Sequence, residues 1–407
     1  MTQARPEPIP REPVPQELIG GRNLLIGTRF VRSIGQGLMA VAFTLQLHAL
    51  GWSAAAIGTL LAAALGGGVV LTGLSGPLSD RFGRRALLVG FEVAHAITAV
   101  LAAWHPSVAV LALAAFVGQY GRGANGVAGP FGPVEQSWLA ALGGQEEGGQ
   151  TFSVNAAMGF LGMGIGSLLA MLPAGWDIAA QGQFLVVAAG AVISALLLLP
   201  IPDPELPALP AAPSAEVHRE NRMLAKLALA NALQGAGIGL SGPLLAYWFA
   251  VRFGATPEEI GPVMAASFVA TAGITFLTGN LAARFGLVRT VVASRVLGLL
   301  MLLALPFSPN FLVAAALYLA RSLFNRGTVG ARSAFTMGLV RAERRGFAAS
   351  VNAISVQVPR ALGPILAGIL FDTGAFALPF LIAAALQGGY IFVFGLGFRD
   401  QPAARTG

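Results

Sequence analysis

Glu92 and Glu135 are the two acids that fall inside runs of apolar residues long enough to cross a bilayer. An acid in such a run costs several kcal/mol unless it is paired, faces an aqueous interior or exchanges a proton. Glu92 has His95 one helical turn away. Arg29, Arg32 and Gln36 recur at spacings of three and four in the first run and so share one helical face. Arg122 and Asn125 share a face of the fourth helix, with Gly126 letting a neighbouring helix approach. The second half of the chain embeds Gln234, Arg295, Arg321, Asn325, Arg326, Thr328, Arg332 and Arg360 in the same way. Of these, Arg321, Asn325, Thr328 and Arg332 fall within about 60° of one another on an ideal helix, and Arg326 points elsewhere. Embedded arginines outnumber embedded acids, which favours an anionic or electron-rich ligand over a cationic one.

The chemistry open to this set is narrow. A single Glu-x-x-His does not make a carboxylate-bridged metal site, which needs two copies and further glutamates. The chain has no cysteine and neither a HExxH nor a GxSxG motif. No acid, base and nucleophile converge. No enzyme, metal or cofactor is expected. Gly121-Arg-Gly-Ala-Asn-Gly126 matches a dinucleotide-binding pattern in letters only, since no strand precedes it.

Of 407 residues, 55% are hydrophobic and 11% are charged. A soluble domain carries about 25% charged residues, so lipid must be the solvent for most of this surface. Twelve apolar spans are predicted, at 23–47, 54–78, 86–103, 107–140, 151–172, 183–201, 227–249, 260–281, 290–307, 309–340, 347–371 and 375–398. The fourth and tenth are over-long, with Pro130 and Pro133 expected to bend the fourth. Residues 1–21 read as a disordered tail, 22–201 as one six-helix bundle, 202–222 as a proline-rich linker, 223–398 as a second bundle and 399–407 as a tail. The fold class is therefore all-α integral membrane, with twelve transmembrane helices in two pseudo-symmetric bundles. Arg81, Arg84, Arg85, Arg284, Arg289, Arg341, Arg344 and Arg345 fall in loops on one side, against Arg252 alone on the other. By the positive-inside rule both termini are cytoplasmic and the protein sits in the cytoplasmic membrane. The formal charge of +7 is then a topology signal and not a nucleic-acid footprint. The expected state is a monomer.

The halves repeat each other. Gly76-Pro-Leu-Ser-Asp-Arg-Phe-Gly83 returns as Gly279-Asn-Leu-Ala-Ala-Arg-Phe-Gly286, an offset of 203. Ser153-Val-Asn-Ala156 returns as Ser350-Val-Asn-Ala353, and Gln36-Gly37 as Gln234-Gly235. Glu92 falls opposite Arg295.

Gly76-Pro-Leu-Ser-Asp80-Arg81-Phe-Gly83-Arg84-Arg85 resembles the signature loop of the major facilitator superfamily between the second and third helices. Arg122-Gly-Ala-Asn125-Gly126 is similar to a second signature, with Asn in place of Gln. The resemblance implies alternating access, with one central cavity open to each side in turn. It implies a conformational latch at Gly76, Asp80, Arg81, Gly83, Arg84 and Arg85. It also implies a secondary transporter that moves a small organic molecule, with proton-coupled efflux as the leading expectation. Glu92, Glu135 and Arg122 would then couple protons, and Arg32, Gln36, Asn125, Gln234, Arg321, Asn325 and Arg326 would line the substrate cavity. The drug-exporter Gly-Pro signature is absent from the fifth span, where Gly159, Gly162, Gly164 and Gly166 read as close helix packing, and Gly363-Pro364 stands in the eleventh instead. An organic-anion or phosphate-ester carrier with an arginine-lined cavity is the alternative.

Overall fold

The computed structural model describes residues 15–122, 129, 132–143, 148–171, 176–204, 214–326, 332, 335–336, 339–340 and 345–398. Its first half holds α1 (Gln16–Ala49), α2 (Ala54–Phe82), α3 (Arg84–Trp104), α4 (Val108–Gly118), α5 (Gly132–Gly143), α6 (Gly148–Leu169) and α7 (Trp176–Leu198). The second holds α8 (Ser214–Ser241), α9 (Leu245–Phe253), α10 (Pro257–Phe285), α11 (Leu287–Ala304), α12 (Phe311–Arg326), α13 (Arg345–Asp372) and α14 (Leu378–Gly397). No strand occurs among the described residues, and nine of the described helical segments are long and apolar enough to cross a membrane. Large apolar side chains such as Val70, Ile97, Leu196, Leu312 and Phe392 point outward, as a lipid-facing surface requires.

The repeat is legible in the backbone. Helices α2 and α10 have the same length and their boundaries differ by the same 203 residues as the loop sequences. Gly83 (φ 82, ψ 149) and Gly286 (φ 84, ψ 143) then make the same turn into α3 and α11. A positive φ of this kind is open to glycine at little cost, which is why both copies keep it.

Three predicted spans end differently. The 107–140 run is not one bent helix: α4 stops at Gly118, Gln119 takes a left-handed conformation (φ 57), and a 3-10 turn covers Tyr120–Arg122 before α5 begins at Gly132. The Gln119 amide stabilises the break by donating to the carbonyls of Ala64 (3.0 Å) and Phe116 (2.6 Å). Pro133 sits in the first turn of α5, where its missing N–H costs nothing. The 227–249 run divides into α8 and α9 around Gly242 and Pro243. Helix α8 also starts at Ser214, inside the predicted linker, because Glu216, Arg219, Glu220 and Lys226 suit a helix that extends beyond the apolar layer. Similarly, α1 begins at Gln16, within the predicted tail.

The two halves are joined at one end. One apolar cluster takes in Leu38, Phe43, Leu61 and Phe160 of the first half and Trp248, Phe268, Phe371 and Phe380 of the second. Toward the other end each half has its own cluster, around Leu25, Leu88 and Trp138 in the first and Leu224, Val291 and Phe394 in the second. The joined end is the one bearing the α1–α2 turn at 50–53. There Phe160 stacks on Phe268 and His48 meets Tyr247 edge-on.

Asp372, the last residue of α13, caps the start of α2 across the two halves. Its carboxylate accepts from the Ala54 N–H (2.8 Å) and the Ala55 N–H (2.9 Å), groups that have no partner within their own helix. Asp372→Ala is expected to cost about 1 kcal/mol, a typical loss for an N-cap. Hydrogen exchange at Ala54 and Ala55 should speed up roughly fivefold as that end opens more often. Unchanged exchange there would show that the cap does not hold the end shut.

Candidate functional site

Arg32, on α1, reaches between two acids from different helices. It donates to Glu135 of α5 in a short contact and, through Nη1, to Glu92 of α3 at 3.5 Å. All three are buried, at 4%, 2% and 1% exposure for Arg32, Glu135 and Glu92. Glu135 is held a second time by Asn155 of α6, whose Nδ2 donates at 2.7 Å. Glu92 has its second oxygen buried without a hydrogen-bond partner. So one guanidinium serves two carboxylates, and the two differ: Glu135 is doubly tied and Glu92 is loosely tied.

Around this triad the face predicted on α1 holds. Gln36, with its amide oriented to satisfy both groups, accepts from Arg122 at 2.7 and 2.9 Å. Arg29 is 3% exposed and packs against Gly159. Arg122 lies beyond the end of α4, in the 3-10 turn, and its Nε donates to the Gln119 carbonyl (3.2 Å). Asn125 and Gly126 lie outside the described residues. The Arg122 carbonyl accepts a short hydrogen bond from Arg360 of α13, so the second half touches the turn that carries Arg122. His95 lies beside Tyr120, with 3.4 Å between its Nε2 and the phenol oxygen.

In the second half the predicted cavity residues separate onto different neighbours. Arg321 donates to Ser241 Oγ of α8 (3.1 Å). Arg326 donates to Ser267 Oγ of α10 (3.3 Å) and the Tyr318 hydroxyl (2.7 Å), with its guanidinium 5.0 Å from the Phe268 ring centroid. Asn325 faces Gly298 of α11. Thus Arg326, which sequence spacing sets apart from Arg321 and Asn325, is the one beside the aromatic contact between the halves. Gln234 is 5% exposed on α8, and Thr328 lies outside the described residues. Arg295, opposite Glu92 in the repeat, pairs with no acid among the described residues; it lies over the ring of Tyr390.

A sequence model of the Major Facilitator Superfamily matches residues 25–225 and 227–407. The chain belongs to the major facilitator superfamily. It resembles an uncharacterised MFS-type transporter, YceJ, of Bacillus subtilis (strain 168), at 25% identity over 77% of this chain and 81% of that one. A shorter stretch is 38% identical to the arabinose-proton symporter of the same organism, over 21% of this chain and only 18% of the symporter's length. Among solved structures, a point mutant of the nucleoside transporter NupG superposes with a TM-score of 0.72 at 15% identity, covering 93% of this chain and 100% of that one. The transporter FucP in its outward conformation superposes at 0.67 with 16% identity, covering 95% and 100%. At such identities the likeness shows the fold. The protein is a multi-pass membrane carrier of the superfamily, built for alternating access, and not an enzyme.

In this facilitator the signature loop grips its own half. The Arg84 N–H donates to Asp203 Oδ2 (3.1 Å) and its guanidinium pairs with Oδ1 (3.3 Å). Arg85 donates to the Ile201 carbonyl. Trp138 donates to the Pro202 carbonyl (2.8 Å), so the segment leaving α7 is pinned from two sides. Arg81 is exposed and lies against the Phe82 ring. Gly76 is in α2 and Gly83 forms the turn, while the Asp80 side chain lies outside the described part.

Sequence reasoning missed Asp203, Asn155 and Asn352. The last two had a signal. They are the asparagines of the Ser-Val-Asn-Ala repeat, and each holds a buried polar group of its own half: Asn155 binds Glu135, and Asn352 accepts from Asn231 at 2.9 Å.

Proposed function

We propose that this carrier moves a small organic molecule by a proton-linked mechanism, with Glu92 and Glu135 as the proton-binding pair and Arg32 as their shared counter-charge. The observation that carries this is the inequality of the two acids. Glu135 keeps Arg32 and Asn155 as partners, so it anchors the charge. Glu92, with one oxygen unpartnered and the other at 3.5 Å, is the acid that loses least on taking a proton. Protonation of Glu92 shifts Arg32 toward Glu135. Deprotonation draws Arg32 back between them. Since α1, α3, α5 and α6 all contribute, a shift of Arg32 alters how four helices of the first half sit. Arg122, fixed through Gln36 on the same α1 face, adds positive charge nearby.

On the positive-inside rule the basic loops put both termini in the cytoplasm and the joined end outside, so this carrier is open toward the cytoplasm, as a monomer in the cytoplasmic membrane. Efflux in exchange for protons is the direction we propose. The first step of the test is a thermal-shift panel of cations, neutral amphiphiles and anions on purified protein. The compound that stabilises it most is then followed in everted vesicles. Accumulation should collapse when the pH gradient is dissipated and should be lost in the Glu92→Gln, Glu135→Gln double variant. Accumulation that ignores the gradient, or survives the double substitution, would rule out proton exchange.

A second reading, an organic-anion or phosphate-ester carrier, draws on the other half. Arg295, Arg321, Arg326 and Arg332 meet no carboxylate among the described residues. On this reading Arg32 is unavailable to a ligand, because two acids already occupy it.

A further inference from the structure

Arg295 of α11 and Arg332 each have their guanidinium carbon 5.4 Å from the centre of one ring, that of Tyr390 on α14. Two like charges on one buried ring repel each other, and each is costly to hold away from water. Arg295 is 2% exposed and Tyr390 1% exposed. The Nε of both arginines and the Tyr390 hydroxyl are buried without a hydrogen-bond partner. Arg332 is steadied from behind: its Nη2 donates to Asn231 Oδ1 (2.9 Å), and Asn231 in turn donates to Asn352 Oδ1 (2.9 Å) and Ser355 Oγ (3.2 Å). That chain of neutral groups orients Arg332 and leaves its charge uncompensated. The first half solves the same problem with acid: the position equivalent to Arg295 is Glu92, which meets Arg32. Among the described residues the second half has no carboxylate to do so.

We infer that the second half binds an oxyanion, a carboxylate or a phosphate group, between Arg295 and Arg332 with the Tyr390 hydroxyl as a further donor. Ring-stacked guanidiniums keep their N–H edges available. Two guanidiniums and a hydroxyl gathered on one buried ring, each with an unpartnered polar atom and with no carboxylate beside them among the described residues, are what an oxyanion satisfies. This deepens the anion-carrier reading by naming a site for it, and it is independent of proton movement at Glu92. The anion is either a free solute or the head of a lipid; both offer the same oxygens.

The full chain in nanodiscs of pure phosphatidylcholine would be titrated with sodium benzoate and, separately, inorganic phosphate, against chloride at constant ionic strength. Unfolding temperature is the readout. The expected result is a rise with at least one of the two anions. Arg295→Met should unfold at the same temperature as the parent or higher in chloride, since it removes an uncompensated charge, and should lose the anion-dependent rise. Tyr390→Phe keeps the ring and should weaken the apparent affinity roughly tenfold. A parallel arm uses discs containing phosphatidylglycerol with no added solute; a rise there alone, again lost in Arg295→Met, makes a lipid headgroup the ligand and still supports the site. No rise in either arm, or an undiminished rise in Arg295→Met, overturns it. Proteoliposome flux of the same anions separates the two ideas. Flux that persists while the rise is insensitive to Arg295→Met sinks the site and leaves the anion carrier standing. A rise lost in Arg295→Met without any anion flux keeps the site and sinks the anion carrier.

Discussion

Glu135→Ala should destabilise the protein by about 3–5 kcal/mol, the cost expected when one member of a buried ion pair is removed and its partner stays charged. Arg32 would lose its close carboxylate partner and keep the longer 3.5 Å contact with Glu92, and Asn155 would lose its acceptor. The companion result matters as much. Arg32→Met combined with Glu92→Gln and Glu135→Gln should recover most of that loss, because the whole charged set goes and a side chain of similar length fills the space. Reversible unfolding in a mild detergent at neutral pH, with the triple variant beside the single one, reads both. If Glu135→Ala unfolds like the parent protein, or the triple variant is worse than the single one, the triad is not an electrostatic unit. Transport adds a separate dimension, since the triple variant should be folded and yet unable to couple protons.

The second large effect is steric. Helices α1 and α6 touch backbone to backbone: a Cβ built on Gly166 would lie 1.9 Å from the Ile34 carbonyl oxygen, and one on Gly37 would lie 2.0 Å from that of Met163. Neither neighbour is a flexible side-chain tip that could swing away. Gly166→Leu must therefore part the two helices along their contact, and α1 carries Arg32 and Gln36. We expect little or no monodisperse protein on size-exclusion chromatography. Gly273→Ala is the control, because a Cβ there meets no atom within 4 Å and alanine is the better helix former by about 1 kcal/mol. It should behave like the parent chain or better. Equal behaviour of the two variants would mean that the close approach of α1 and α6 is not required.

How much of this was readable beforehand depends on how local the cause is. Gly83 and Gly286 were legible as a repeated turn because a positive φ is demanded at one residue by its own neighbours. The shared face of Arg29, Arg32 and Gln36 followed from helical geometry alone. The tight seams at Gly162 and Gly166 followed from small residues at close spacing, and the structure sets both against α1 backbone. By contrast, the break after Gly118 was not legible. The apolar run continues past it, and the interruption is stabilised by a Gln119 amide that finds the carbonyl of Ala64 on another helix. Nor could spacing say which neighbour Arg321, Asn325 and Arg326 would each face.

The sequence by itself determined that lipid surrounds this chain, that two related halves succeed one another, and that a few charges sit among apolar residues. Those are properties of composition and of short-range periodicity, which need no knowledge of what packs on what. Only the tertiary structure decided that Arg32 belongs to both Glu92 and Glu135, that Asp203 holds the signature loop, and that Arg295 and Arg332 share one tyrosine ring. Pairing of buried charges is set by which helices meet and at what depth, and residues far apart in the chain carry no local mark of that meeting.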